Sequence, residues 1–373
     1  MIKRLLSIAA ALTMLSSCCN TPQPELTYEI SLGKVPRTAI FKDGDDTTWS
    51  VWGASMVKDD TEGLYHIFYS RWPKALGWSW VVDSEIAHAT SKSPYGPWEF
   101  KDISLPRRGK EYWDGWCTHN PTVLKIDGKY YLYYMGNTGD GEVTCEPDKR
   151  EVINWQHRNN QRIGVAVADS PYGPWKRFDE PLIDVSNDPK APDCLMTSNP
   201  SVCQMADGKI LFVYKVVGKE YKLPAGGPVL HMVATSDSPL GPITKLDKLA
   251  FHYEGERFAA EDPYIWYQDG KYRAIVKRIR EVNKKRLFSL MHYESENGFD
   301  WAEAPYNQVS ELEITWEDGE YNKLAHLERP QVYIENGEPL LLLCAGDTLE
   351  GFKRHSFNVQ IPLKIKKHEV KAE

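Results

Sequence analysis

Helical periodicity is missing from this sequence. Across 373 residues no long stretch repeats its apolar positions every three to four residues, which excludes helix-built architectures. A basic excess is missing as well. The formal charge is −7, which argues against displacing counterions from phosphates, so no nucleic-acid partner is expected. The stretch Lys364–Lys367 is basic, and it reads as a solvated end. Cysteine is sparse in the body, at Cys117, Cys145, Cys194, Cys203 and Cys344. Their spacing fits no zinc pattern, and so few thiols cannot staple a domain this large. Most read as small buried apolar residues, with Cys194–Cys203 as the one bridge considered. Past Leu15 no apolar run approaches the roughly 20 residues that cross a bilayer as a helix.

What is present begins at the N-terminus. Lys3 and Arg4 precede an apolar run, Leu5–Leu15, followed by Ser16, Ser17 and Cys18. A charged start, a short apolar stretch and small residues before a cleavage point describe a secretory signal. Leu15-Ser16-Ser17-Cys18 also reads as a bacterial lipobox, with Cys18 lipidated. The expectation is an exported lipoprotein of the periplasm or outer-membrane surface, touching the membrane through its N-terminal lipid only. Residues 1–18 are then signal, 19–38 tether and N-terminal segment, 39–366 the folded body, and 367–373 a tail.

Three repeated texts organise that body. Ser93-Pro94-Tyr95-Gly96-Pro97-Trp98 returns as Ser170-Pro171-Tyr172-Gly173-Pro174-Trp175, then as Ser238-Pro239-Leu240-Gly241-Pro242, and in degraded form as Ser295–Trp301. Asp127-Gly128, Asp207-Gly208, Asp269-Gly270 and Asn336-Gly337 each divide two β-rich runs, the strongest short hairpin signal. Glu62-Gly63 supplies an earlier member. Finally, a proline enters the first strand of each unit, in His119-Asn120-Pro121, Ser198-Asn199-Pro200, Glu261-Asp262-Pro263 and Glu328-Arg329-Pro330, with Trp52-Gly53-Ala54 in the first. Five all-β units in register predict a five-bladed β-propeller of four-stranded antiparallel blades. A β-sandwich does not account for one text recurring in step.

In a propeller the inner strands start near one end of the axis, so the residues before the prolines converge there. The predicted ring reads Gly53/Ala54, His119/Asn120, Ser198/Asn199, Glu261/Asp262 and Glu328/Arg329. Neighbouring carboxylates suit glycosidic cleavage, in which one acid must hold a proton while another stays ionised. Asp262, Glu328 and Glu261 lead, with Asp114 as a fourth candidate from Trp113-Asp114-Gly115-Trp116. Alternation along a regular strand puts Glu261 and Asp262 on opposite faces, so one of them anchors the blade. Trp52, His119, Asn120, Asn199 and Arg329 are expected to contact substrate, and Arg162 and Lys215 to hold an anionic group on it. Trp49, Trp52, Trp72, Trp78 and Trp80 could stack on sugar faces, although aromatics also pack between blades. A polar axis can take Ca²⁺ through oxygen ligands, but no motif here specifies one.

The five units, Asp262-Pro263 and the Ser-Pro-x-Gly-Pro-Trp turns resemble the five-bladed propeller glycoside hydrolases, a group that includes families 43, 32, 68 and 117. The likeness covers about Phe41 to Pro362 and implies a glycosidase acting at the end of an oligo- or polysaccharide chain. The family-43 pattern has an Asp at the start of the first inner strand. Here that place is Trp52-Gly53-Ala54, with Asn120 and Asn199 in the next two units, so the three-acid arrangement does not carry over intact. Resemblance to family 117 implies a histidine acid, for which His119 or His326 would serve. Two alternatives stay open: a phosphorylase resembling family 130, with Arg162, Lys215, His119 and Arg329 on phosphate, and a non-catalytic sugar-binding propeller.

Overall fold

The Asp-Gly and Asn-Gly steps fold as the sequence predicts. At Asp127-Gly128, Asp269-Gly270 and Asn336-Gly337 both residues take positive φ, the backbone of a tight hairpin whose twist matches its strands. The computed structural model describes residues 25–370; Cys18 and the signal segment lie outside the described residues.

These hairpins build five antiparallel blades. The first holds Trp49–Asp59, Leu64–Pro73, Glu85–Ser91 and Glu99–Leu105, from axis to rim. The second holds Cys117–Ile126, Lys129–Asn137 and Arg162–Ala168, and isolated bridges at Lys176 and Ile183 replace its outer strand. The third runs Met196–Gln204, Ile210–Val217, Val229–Ser236, Thr244–Ala250, and the fourth Ala260–Gln268, Lys271–Val282, Lys285–Ser295, Ala302–Ser310. In the fifth, His326–Glu335, Glu338–Glu350 and Lys353–Glu369 are completed by Leu26–Leu32 from the other end of the chain. This corrects two predicted boundaries. Leu26–Leu32, part of the segment 19–38 set outside the folded body, is a strand of the propeller, and the last strand runs past residue 366 to Glu369.

The core lies in layers between blades, because each sheet is apolar on both faces. Ile67 and Tyr69 of the first blade pack with Leu341 and Leu343 of the fifth; Phe68 packs with Leu132 and Tyr134 of the second. Phe212 meets Tyr133, and Leu211 meets Ala274, across the next two interfaces. Burying one such side chain stabilises the fold by about 1.5–3 kcal/mol. The repeated turns bolt these layers together. Trp98 reaches back to donate to Gln360 Oε1 of the fifth blade (2.9 Å), and Trp175 meets Phe68 of the first blade edge-on at 5.3 Å. Cys194 and Cys203, considered above as a bridge, are separate buried thiols, as are the other three.

Candidate active site

All five inner strands carry a bulge at the same place, near one mouth of the axis: Trp52/Ala54, His119/Thr122, Ser198/Ser201, Glu261/Tyr264 and Glu328/Gln331. In each, one residue has left-handed backbone: Gly53 (φ 44°), Asn120 (51°), Asn199 (48°), Asp262 (52°) and Arg329 (53°). Side-chain-bearing residues seldom adopt this conformation, and such strain gathers at functional sites. The kink cancels strand alternation. Glu261 and Asp262 therefore both line the axial pocket, as do His119 with Asn120 and Ser198 with Asn199, against the expectation of opposite faces. In the first blade the matching pair is Trp52/Gly53, one residue earlier than predicted.

The left-handed residues form a lower ring. Asn120 Nδ2 donates to Asn199 Oδ1 (2.9 Å), and Asn199 Nδ2 donates to Asp262 Oδ1 (2.7 Å). Arg329 Nη1 lies 3.5 Å from that same oxygen, while its Nη2 donates to the Asn120 carbonyl (3.3 Å). Gly53 closes the circle for a steric reason, since a Cβ there would sit 3.0 Å from Asn120 Oδ1 and 3.3 Å from Arg329 Cγ. The stem of Arg329 thus occupies space that a first-blade acid would need. This ring does not suit Ca²⁺. Its only carboxylate is Asp262, and a guanidinium already supplies the positive charge.

Above it stand Trp52, His119, Ser198, Glu261 and Glu328, the walls of a pocket of about 350 Å³. Lys215 lies opposite Ser198 and Lys277 opposite Glu261, at equivalent places on second strands. Lys215 Nζ donates to Glu261 Oε1 (2.6 Å); Lys277 Nζ reaches Glu261 Oε2 (3.1 Å) and also hydrogen-bonds Glu328 Oε1. Burial alone would raise the Glu261 carboxyl, but the two ammonium groups outweigh it and hold that group ionised, well below the carboxylate range. Asp262 moves the other way. Burial pushes it up to about 6, Arg329 opposes, and the charges of Glu261 and Glu328 reinforce the rise. The His119 imidazole is driven well below its ordinary value by burial and by Arg329, so it is neutral. It shares a hydrogen with Ser84 Oγ (2.7 Å) and stacks on Trp80 at 4.7 Å.

The rim comes from loops. Residues 138–161 of the second blade form an insertion bearing Glu151, Ile153, Trp155, Arg158 and Gln161 on the pocket. It is braced from beneath by His157, whose Nδ1 meets Asn137 Oδ1 (2.8 Å) while its Nε2 accepts from Gly141 N (2.9 Å). Trp78 and Trp80 face it from the first blade. His326 Nδ1 meets Asp347 Oδ1 (2.7 Å), and Arg354 links Asp347 (3.3 Å) to Glu151 (3.5 Å) while lying over the Trp78 ring.

Of the predicted residues, Asp262, Glu328, Glu261, Trp52, His119, Asn120, Asn199 and Lys215 line the pocket, with His326. Arg329 lies behind the floor, only 1% exposed. Asp114 is elsewhere, fully buried between Arg108 (2.6 Å), Arg177 (2.5 Å) and Tyr134 (2.7 Å), where it fastens a loop to the second blade. Arg162 pairs with Asp184 (2.5 Å) and backbone carbonyls, outside the lining. Trp49 stacks under Arg71 instead of facing the axis. Sequence reasoning missed Lys277, although it stands seven residues after Gly270, as Lys215 does after Gly208. It also missed Glu151, Arg158 and Arg354, which no repeat marks.

No protein-family model matches the chain, and no curated protein matches it in sequence. Solved structures do match in shape. A family 117 glycoside hydrolase of the marine bacterium Zobellia galactanivorans superposes with a TM-score of 0.60 at 18% identity, covering 91% of each chain. A thermostable family-43 glycoside hydrolase gives 0.58 at 15% identity, over 89% of this chain and 98% of that one. An endo-arabinase from Bacteroides thetaiotaomicron gives 0.53 at 14%, over 90% and 98%. The chain thus shares the fold of solved glycoside hydrolases along nearly all of its length.

Proposed function

We propose that this protein is a glycoside hydrolase that removes a terminal sugar held in the axial pocket. The observation that carries the reading is the pair of opposed environments on one floor: Asp262 kept protonated up to about pH 6, beside Glu261 held ionised by two lysines. Groups whose pKa values are pushed apart in this way divide acid and base work between them. Asp262 gives its proton to the leaving glycosidic oxygen. Glu328, engaged by Lys277 alone, takes the proton of the attacking water as the bond to the anomeric carbon forms. Glu261 shares Lys277 with Glu328 and keeps the proton on Asp262 by its charge. Walls of Trp52, Trp78 and Trp80 suit the C–H faces of a sugar ring, and the fold shared with glycoside hydrolases agrees with this chemistry.

The experiment is sugar release from a panel of plant and algal oligosaccharides, with and without phosphate, beside Asp262→Asn and Glu328→Gln. Loss of a general acid or base costs about 10²–10⁴ in kcat. Folded variants that both keep full activity exclude this assignment, and dependence on phosphate would indicate a phosphorylase. A second reading, a sugar-binding propeller without catalysis, is favoured by one feature. Three of the five bulges carry no acid, and each of the remaining carboxylates has a cationic partner. Saccharide binding with no product from any glycan would establish it.

A further inference from the structure

The charges around the pocket are almost fully paired. Glu261 has Lys215 and Lys277, Glu328 has Lys277, Asp262 has Arg329, and Glu151 and Asp347 share Arg354. Arg158 is the exception. It lines the pocket and lies in no ion pair among the described residues. Its Nη1 is fixed by the Asn159 side chain and the Ala225 carbonyl, both at 2.9 Å, and its Nε and Nη2 have no hydrogen-bond partner among the described residues. A guanidinium held in this way presents its remaining N–H groups as a preorganised fork for a planar or tetrahedral anion.

A second observation extends from the same rim. Beyond Glu151, Ile153, Trp155 and Arg354 the pocket continues into a cavity of about 730 Å³, lined also by Lys149, Arg150 and Arg286. Glu151 is the only carboxylate in that lining, and it is already held by Arg354. On a chain whose formal charge is −7, this concentration of cations, unpaired among the described residues, at this axial mouth runs against the whole-molecule balance. Trp155 and Phe352, 38% and 60% exposed, add ring surfaces among the charges.

We propose that the saccharide taken by this site is anionic: a carboxylate or sulfate on the sugar in the pocket pairs with Arg158, and acidic groups on the following residues lie over Lys149, Arg150 and Arg286. This rests on the carbohydrate reading above but not on catalysis. Titration calorimetry of the folded protein with an oligogalacturonide, a sulfated galactan oligosaccharide and a neutral arabino-oligosaccharide tests it. At least one acidic probe should bind about ten-fold more tightly than the neutral one, and more weakly as salt rises. Arg158→Gln should weaken that acidic probe about ten-fold more than it weakens the neutral one, with Arg158→Lys recovering part. Arg286→Gln should matter more for longer acidic chains than for short ones. A neutral probe bound as tightly as both acidic ones, or an Arg158→Gln protein with unaltered affinity for the acidic probe, overturns the proposal. The two readings fail separately. An acidic saccharide bound through Arg158 and never cleaved removes the hydrolase but keeps this inference. A neutral saccharide that is cleaved, while neither acidic probe binds more tightly than it, does the reverse.

Discussion

At the residue scale, the floor of the pocket sets its own pH behaviour. Asp262 must hold a proton to act as the acid, so activity should fall as pH rises through about 6, and the profile should lose that limb in Asp262→Asn. The same raised pKa enters stability. The folded chain binds this proton more tightly than the unfolded one, so the contribution is fully present below 3.8, declines between 3.8 and about 6, and is absent above. Melting temperature against pH in wild type and Asp262→Asn checks the sign. Lys277 is the other residue on which the floor depends. Burial would lower its pKa, but Glu328, Glu261 and Asp262 together raise it well above the ordinary value. Lys277→Met leaves two half-buried carboxylates without their shared partner, although Glu261 keeps Lys215, and should cost about 1–3 kcal/mol in denaturant unfolding. Adding Glu261→Gln to that variant should recover part of the loss.

At the scale of elements, the insertion of the second blade decides what the pocket can hold. Its one-turn helix, Trp155–Asn159, is too short to persist alone and depends on Asn154, whose side chain accepts from the backbone N–H of Gln156 (3.0 Å) and His157 (3.1 Å). Asn154 Nδ2 also ties the turn to Asp140 (2.8 Å). Asn154→Ala should cost about 1 kcal/mol. Because the loss falls on the segment that positions Glu151, Trp155 and Arg158, we expect KM to rise several-fold with kcat nearly unchanged. Steady-state kinetics beside a thermal melt separates this from a general loss of structure; an equal fall in kcat would contradict it.

At the scale of the whole molecule, the ring is closed by pairing its two ends. Leu26–Leu32 aligns antiparallel with Leu363–Glu369 and covers an edge that would otherwise expose unpaired N–H and C=O groups. Tyr28 is the centre of this closure. It is fully buried, its hydroxyl donates to Asp269 Oδ2 of the fourth blade (2.7 Å), and the Arg273 guanidinium lies 3.5 Å over its ring. Tyr28→Ala should destabilise by about 3–5 kcal/mol, read as a lowered denaturant midpoint. A change below about 1 kcal/mol would mean that the closing strand contributes little.

The sequence by itself determined the blade count, the hairpins and the place on each inner strand where chemistry gathers. Those features are local: positive φ falls to Asp-Gly and Asn-Gly, and the Ser-Pro-x-Gly-Pro turn recurs in three blades with a degraded copy in the fourth. It could not determine which side chains share the pocket, because a bulge overrides strand alternation and partners come from distant blades. Hence Glu261 and Asp262 stand together, Lys277 joins them from the neighbouring strand and Lys215 from the blade before, and Arg329 fills the space over Gly53. Asp114, equally acidic in the text, is instead neutralised by two arginines away from the axis. The strand Leu26–Leu32 carries no repeat signature because its partner lies more than 330 residues away. Only closure of the ring brings the two together, and pairing then makes that segment part of the fold.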